Sequence, residues 1–262
     1  MQKKTFDIII LNGRPAAGKS EIIDFLKKIP VNERITRFHI GEFIEIDDFP
    51  ILWERFEDDD LLEEMGLPRI HSNKEFYYKG QNHPGYVFKD QWFWNFLIKK
   101  INFAYSKLLR NDPNFHTDHK TVILEFSRGS EHGGFKTAYD YLSDEILKKA
   151  VTLYINVDFE ESMRKNRRRY NPEQPDSILQ HALEDLKLEF LYKDSDWNEF
   201  AANEKFLNVK GFKVPYGVFE NMPEKTDKPD VLGAHLNEVT DRLWHTYSRL
   251  HEMVLATEGG LK

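Results

Sequence analysis

Short apolar runs alternate along this chain with segments whose apolar residues recur every three or four positions, and that alternation sets the expected architecture. Phe6-Asp7-Ile8-Ile9-Ile10-Leu11 is short, β-branched and closed by Asn12-Gly13, as a buried strand should be. Ile22, Phe25, Leu26 and Ile29 then share one helical face, which Pro30 ends. A strand over 38–46 and a helix over 51–65 follow, the helix carrying Glu57-Asp58-Asp59-Asp60, read as a solvated acidic face. Residues 66–88, with Gly66, Pro68, Gly80, Pro84 and Gly85, read as irregular. Phe93, Leu97, Ile101 and Leu108 trace a long helix stopped by Asn111-Asp112-Pro113. Thr121–Phe126 and Val151–Val157 are further buried strands, each with a helical pattern behind it. Leu179, Leu183, Leu186 and Phe190 mark another helix, 206–219 a last strand, and Leu232, Leu236, Val239, Leu243, Tyr247 and Leu250 a closing helix. Strands alternating with helices in this way predict a three-layer α/β/α domain with a mainly parallel five-stranded sheet.

Composition narrows the chemistry. The 262 residues suit one α/β domain with an insertion, and neither a repeat nor a linker divides them. No run approaches the roughly 18 apolar residues of a membrane span, and no cleavable signal is visible, so a cytoplasmic protein without a membrane partner is expected. The absence of cysteine excludes disulfides, thiolate metal sites and cysteine nucleophiles. A net charge of −7 argues against a dedicated nucleic-acid binder. Aromatic residues reach 14%, enough for a large core and some stacking surface. The ten histidines form no metal-ligand spacing: His71, His83, His116 and His119 read as loop residues, and His245 and His251 as surface or partner contacts.

Directly behind the first strand stands Gly13-Arg14-Pro15-Ala16-Ala17-Gly18-Lys19-Ser20, a glycine-x4-glycine-lysine-serine pattern complete at every fixed position. Glycines there let the backbone curl its N–H groups toward phosphate oxygens, and the following helix adds its positive end. Lys19 would reach the β- and γ-phosphates, and the Ser20 hydroxyl would bind Mg²⁺. A chance match in a turn is the alternative, but the pattern lies between an apolar strand and a helix, as the mechanism requires. The chain here resembles the P-loop NTPase superfamily.

Three further features bear on the branch. Ile44-Glu45-Ile46-Asp47-Asp48-Phe49 places carboxylates where a second strand should end, suited to accepting a proton or holding a Mg²⁺-bound water, with Asp47 the better placed; the alternative is plain capping, with Asp48 ahead of a helix starting near Pro50. Leu124-Glu125-Phe126-Ser127-Arg128 ends the strongest internal strand, where Glu125 could orient Mg²⁺ and Arg128 could meet a phosphate or a substrate hydroxyl. Arg164-Lys165-Asn166-Arg167-Arg168-Arg169 concentrates cations that would close over a polyphosphate or, more plainly, form a solvated basic face.

Together these are similar to the nucleoside and nucleotide kinases, including deoxyribonucleoside kinases and thymidylate-kinase-like enzymes. The resemblance implies a P-loop kinase fold using ATP and Mg²⁺. Gly13, Arg14, Pro15, Ala16, Ala17, Gly18, Lys19 and Ser20 would hold the nucleotide, Asp47 or Asp48 would be the base, and Glu125 with Ser20 the metal-side groups. Arg164, Arg167 and Arg168 would form an arginine-rich lid over about 164–178, and an insert over about 50–112 would face the acceptor. The chain departs from the family in that Phe126 and Ser127 separate Glu125 from Arg128. The acceptor is expected to be a small molecule such as a nucleoside, a nucleotide or a related metabolite, and a homodimer is left open. Asp90-Gln91-Trp92-Phe93-Trp94, at the start of the long helix, reads as core packing before it reads as a stacking platform. The competing function is a nucleotide-gated ATPase or GTPase-like switch without a small acceptor. Against a GTPase stands the missing Asn-Lys-x-Asp signature: Asn73-Lys74 continues into Glu75-Phe76.

Overall fold

The computed structural model describes residues 4–169, 183–203 and 205–259, the side chains of the last helix to residue 250. In chain order the elements are β1 (Ile8–Gly13), α1 (Lys19–Lys28), α2 (Val31–Phe38), β2 (Phe43–Asp47), α3 (Asp48–Glu64), β3 (Ser72–Tyr78), β4 (Gln81–Phe88), α4 (Trp92–Asn111) and β5 (Thr121–Phe126). They continue as α5 (Gly134–Asp140), α6 (Asp144–Lys149), β6 (Ala150–Asn156), α7 (Phe159–Arg169), α8 (Asp185–Tyr192), α9 (Trp197–Phe200), β7 (Phe206–Val209), β8 (Phe212–Glu220) and α10 (Pro229–Gly259). Leu179, residues 170–178 and the side chain of His251 lie outside the described residues.

The main sheet has the order β2-β5-β1-β6-β8-β7. Its first five strands run parallel and β7 runs antiparallel to β8. Six strands replace the expected five because 206–219 folds as a hairpin, with Lys210-Gly211 supplying the two positive φ angles of a tight two-residue turn. The strand expected over 38–46 is also shorter: a second helix ends at Phe38, His39 turns the chain in the left-handed region, and β2 begins only at Phe43.

Alternate residues of the central strands face opposite sides, and each side carries its own core. Ile8, Ile10, Val122 and Leu124 pack with Ile98, Ile101 and Tyr105 of α4 and with α5 and α6. Ile9, Leu11, Ile123 and Leu153 pack with Ile22 and Leu26 of α1, Phe38 of α2, and Leu232, Leu236, Val239, Leu243 and Tyr247 of α10. Helices on both faces of a parallel sheet are what continuous apolar strands require.

Residues 66–88 are ordered where an irregular stretch was expected. They form the antiparallel pair β3–β4 around a Lys79-Gly80 turn. The strands carry little apolar periodicity, since in β3 only Ser72 and Phe76 are buried. A small core of Leu52, Phe56, Phe88, Phe93, Trp94 and Leu97 joins this hairpin to α3 and α4. The acidic run of α3 is likewise not wholly solvated. Asp59 is fully buried, and its carboxylate accepts hydrogen bonds from the backbone N–H groups of Ile70, His71 and Ser72 and from the Ser72 hydroxyl. Burial opposes the charge, but those donors, the Ser72 hydroxyl foremost, hold the carboxyl below its ordinary range. Two of the histidines expected in loops are buried: His83 lies in β4, and His116 meets the Tyr105 hydroxyl at 2.9 Å. Among the described residues, no helix is long and apolar enough to cross a membrane.

Candidate active site

The turn from β1 into α1 is built around its glycines. Gly18 has φ +117°, and a Cβ there would stand 2.9 Å from both Asn221 Nδ2 and Thr226 Cγ2. A Cβ on Gly13 would meet the Ile155 carbonyl oxygen at 2.9 Å. Ala16 holds φ +56°, an uncommon conformation for a residue with a side chain and one found at ligand-clamping turns. Neighbouring elements enforce the shape: Asn221 Nδ2 donates to the Ala17 carbonyl (2.7 Å), and the Ser162 hydroxyl of α7 donates to that of Pro15 (2.7 Å). Lys19 is buried in this turn. Its Nζ donates to Ser127 Oγ (2.8 Å) and the Arg14 carbonyl (3.2 Å) and lies 3.8 Å from Glu125. Burial pulls the Lys19 pKa down; Glu125 opposes that shift and Arg169 adds to it.

The acids come from the carboxyl ends of β2 and β5. Asp47 and Glu125 are register partners on these adjacent parallel strands. Burial, then the charges of Glu125 and Asp48, push the Asp47 carboxyl up to about 8. Burial also raises Glu125, with Lys19 opposing. Asp47 Oδ1 accepts from the Phe49 N–H at 3.0 Å, so the helix cap is Asp47 and not the expected Asp48, because the helix starts at Asp48 and not near Pro50. Asp48 turns the other way, into a buried ion pair with Arg128 (2.7 Å). Burial raises its pKa, while Arg128 favours the charged form. Arg128 also donates to the carbonyls of Ser127 (2.7 Å) and Trp94 (3.1 Å). Glu125 therefore faces Lys19, and Arg128 faces Asp48.

The basic run lies at the end of α7 and divides by helical face. Arg164 pairs with Glu161 (2.7 Å) and Glu224 (2.8 Å), Arg167 with Asp185 (2.7 Å), and Arg168 with Glu224 (2.6 Å). None of these three exposed arginines lines the cleft beside the β1–α1 turn. The member that does is Arg169, whose Nη2 donates to Ser20 Oγ at 3.3 Å. Sequence reading passed over Arg169 among its neighbours, although the signal was present. Ser162, Asn166 and Arg169 fall at i, i+4 and i+7, one stripe of a helix, and Ser162 already holds the turn. The side chain of Arg14, a residue expected among the nucleotide-binding groups, donates to the Tyr192 and Lys193 carbonyls at the end of α8.

One cleft joins these groups. Pro15, Ala16, Gly18, Lys19, Ser20, Asp47, Glu125, Asn166 and Arg169 form the end nearest the turn. Asp48, Phe49, Leu52, Trp94, Arg128 and Tyr192 form the other. At the start of α4, Phe93 and Trp94 belong to the small core, Trp94 also lining the cleft, and Trp92 is exposed, so the expected core reading holds for Phe93 and Trp94 and fails at Trp92. Among the described residues, no three carboxylate or imidazole groups converge as a ready cation cage. What the turn offers a cation is the Ser20 hydroxyl with the carboxylates of Asp47 and Glu125.

No protein-family model matches the chain, and a search of curated proteins finds no match. Among solved structures, the crystal structure of APE1195 is similar at 10% sequence identity and a TM-score of 0.33, with 90% of this chain and 98% of that chain covered.

Proposed function

We propose that this chain is a P-loop kinase that transfers the γ-phosphoryl group of ATP, with Mg²⁺, to the hydroxyl of a small acceptor. The observation that carries the reading is the buried Lys19 in a glycine-built turn, facing two register-paired acids, with a cleft continuing beyond them. The donor set fits the groups invoked. Turn N–H groups and Lys19 suit a polyphosphate, and the Ser20 hydroxyl with the Glu125 carboxylate suits a cation that keeps most of its waters, leaving Asp47 free as a base.

In this reading Lys19 and the turn would hold the β- and γ-phosphates, and Ser20 and Glu125 would hold Mg²⁺. When bound, Mg²⁺ neutralises charge on the phosphate oxygens. The acceptor oxygen forms a bond to the γ-phosphorus, its proton passes to an Asp47 carboxylate oxygen, and the bond to the bridging oxygen breaks. ADP leaves with that electron pair. Asp47 takes the proton because Asp48 is already committed to Arg128. Arg169, at the end of α7 against Ser20, offsets charge on the transferred group in place of the exposed arginines.

The test is ADP release from ATP and Mg²⁺ across a panel of small hydroxyl metabolites. Acceptor-dependent release is expected, with Lys19→Ala abolishing it. ATP binding without any acceptor-dependent release would overturn the reading in favour of a nucleotide switch.

A further inference from the structure

The two ends of the cleft differ in charge, and the difference bears on the acceptor. The cations that line the cleft are Lys19, Arg128 and Arg169. Lys19 and Arg169 flank the phosphate-binding turn, where a nucleotide would use them. Arg128 is the one cation of the far end among the described residues, and it is spent: it is buried, ion-paired to Asp48, and donates to two backbone carbonyls. Its ion-pair partner Asp48 is the acid of that end. Residues 170–182 contain no lysine or arginine, so that segment brings no fixed cation. Lys187 of α8 is not a lining residue; its Nζ stands 5.9 Å over the Phe56 ring.

The rest of the far wall is neutral. Phe49, Leu52, Trp94 and Tyr192 line it with three aromatic rings and an aliphatic branch, and burial keeps the Tyr192 phenol un-ionised. Flat or apolar surfaces bind such walls well. Arg128 Nε is buried without a hydrogen-bond partner among the described residues, a donor that a ligand oxygen or ring nitrogen could satisfy. A second phosphate or a carboxylate would meet the Asp48 carboxylate and no free cation.

We infer that the acceptor is an uncharged hydroxyl compound with a flat or apolar face, such as a nucleoside, and that phosphorylated and carboxylate acceptors are turned away. The inference rests on the phosphoryl-transfer reading above. Within that reading it separates nucleoside-like acceptors from nucleotides, sugar phosphates and hydroxy acids.

The experiment uses the full chain with ATP and Mg²⁺ and matched probes: nucleosides against their 5′-monophosphates, hexoses against hexose phosphates, and aromatic alcohols against hydroxy acids of the same ring. The expected result is ADP release driven by uncharged members, with kcat/KM at least about 100-fold above the charged counterpart. A charged member that equals or exceeds its neutral counterpart overturns the inference and leaves phosphoryl transfer standing. ADP release with no member of either kind overturns both.

A binding measurement adds a readout apart from turnover. With the turn saturated by a non-hydrolysable ATP analogue and Mg²⁺, inorganic phosphate is titrated calorimetrically. The wild-type chain should bind none, and Asp48→Asn, which uncovers Arg128, should gain one phosphate site. Phosphate bound by the wild-type chain overturns the inference, and that arm decides even if the variant fails to fold.

Discussion

Asp47 and Asp48 are adjacent in the chain, yet they do different work because β2 ends where α3 begins. Asp47 is the last strand residue and faces Glu125 and Lys19; Asp48 is the first helical residue and is sealed against Arg128. The two therefore titrate differently. Folding raises the Asp47 pKa from 3.8 to about 8 and so favours its protonated form. That contribution to stability is complete below about pH 4 and is lost as pH rises toward 8. Replacing Asp47 with Asn keeps a capping oxygen for Phe49 and removes the titration. The variant should hold its stability across pH 4–8 where the wild type loses roughly 4–6 kcal/mol, measured by denaturant unfolding at each pH. The same variant should bind ATP normally and lose about 10²–10⁴-fold in transfer rate. Wild-type kcat/KM should climb toward pH 8 as Asp47 ionises. Both strand-end acids were legible in sequence, because a carboxylate after an apolar strand is conspicuous. The split between Asp47 and Asp48 was not, since it depends on Arg128 arriving from another strand end.

At the scale of elements, α7 shows how a run of like charges is sorted. Burial works against ionisation of Glu224, but hydrogen bonds from Arg168, Lys165 and Arg164 hold its carboxyl at about 2. Those cations dock the helix, while Arg169 alone of the four arginines reaches the cleft. Arg169→Ala should lower the turnover of ADP formation about 100-fold. Arg168→Ala should leave turnover within about threefold and cost roughly 1 kcal/mol or less in thermal stability, because its guanidinium is half exposed. Steady-state kinetics and melting curves on the two variants separate these roles. Strands β1, β5 and β6 were legible as continuous apolar runs. The β3–β4 hairpin was not, because its order comes from the buried Asp59 carboxylate collecting the N–H groups of residues 70–72. No spacing of apolar residues records such a bond.

For the molecule as a whole, the sheet is an unbroken partition with a core on each side, and every group of the cleft's inner end attaches to that partition or to an element packed on it. A ligand bound there should stabilise the entire fold. ATP with Mg²⁺ at about 100 times its Kd should add roughly 2.7 kcal/mol, which is about 5–10 °C in melting temperature for a chain of this size. The Lys19→Ala chain should show no shift in the same thermal assay. The α/β layering and the glycine-built turn between β1 and α1 were legible because both are written in contiguous residues. The aromatic far wall was only half legible, because Tyr192 and Trp94 converge from helices distant in sequence. The pairing of Asp47 with Glu125 makes the sheet a ruler. Strands about 4.8 Å apart fix the separation of the two acid-bearing positions by backbone hydrogen bonding alone. Their side-chain chemistry can be exchanged residue for residue without changing that interval, but one residue inserted into β2 would carry Asp47 to the opposite face.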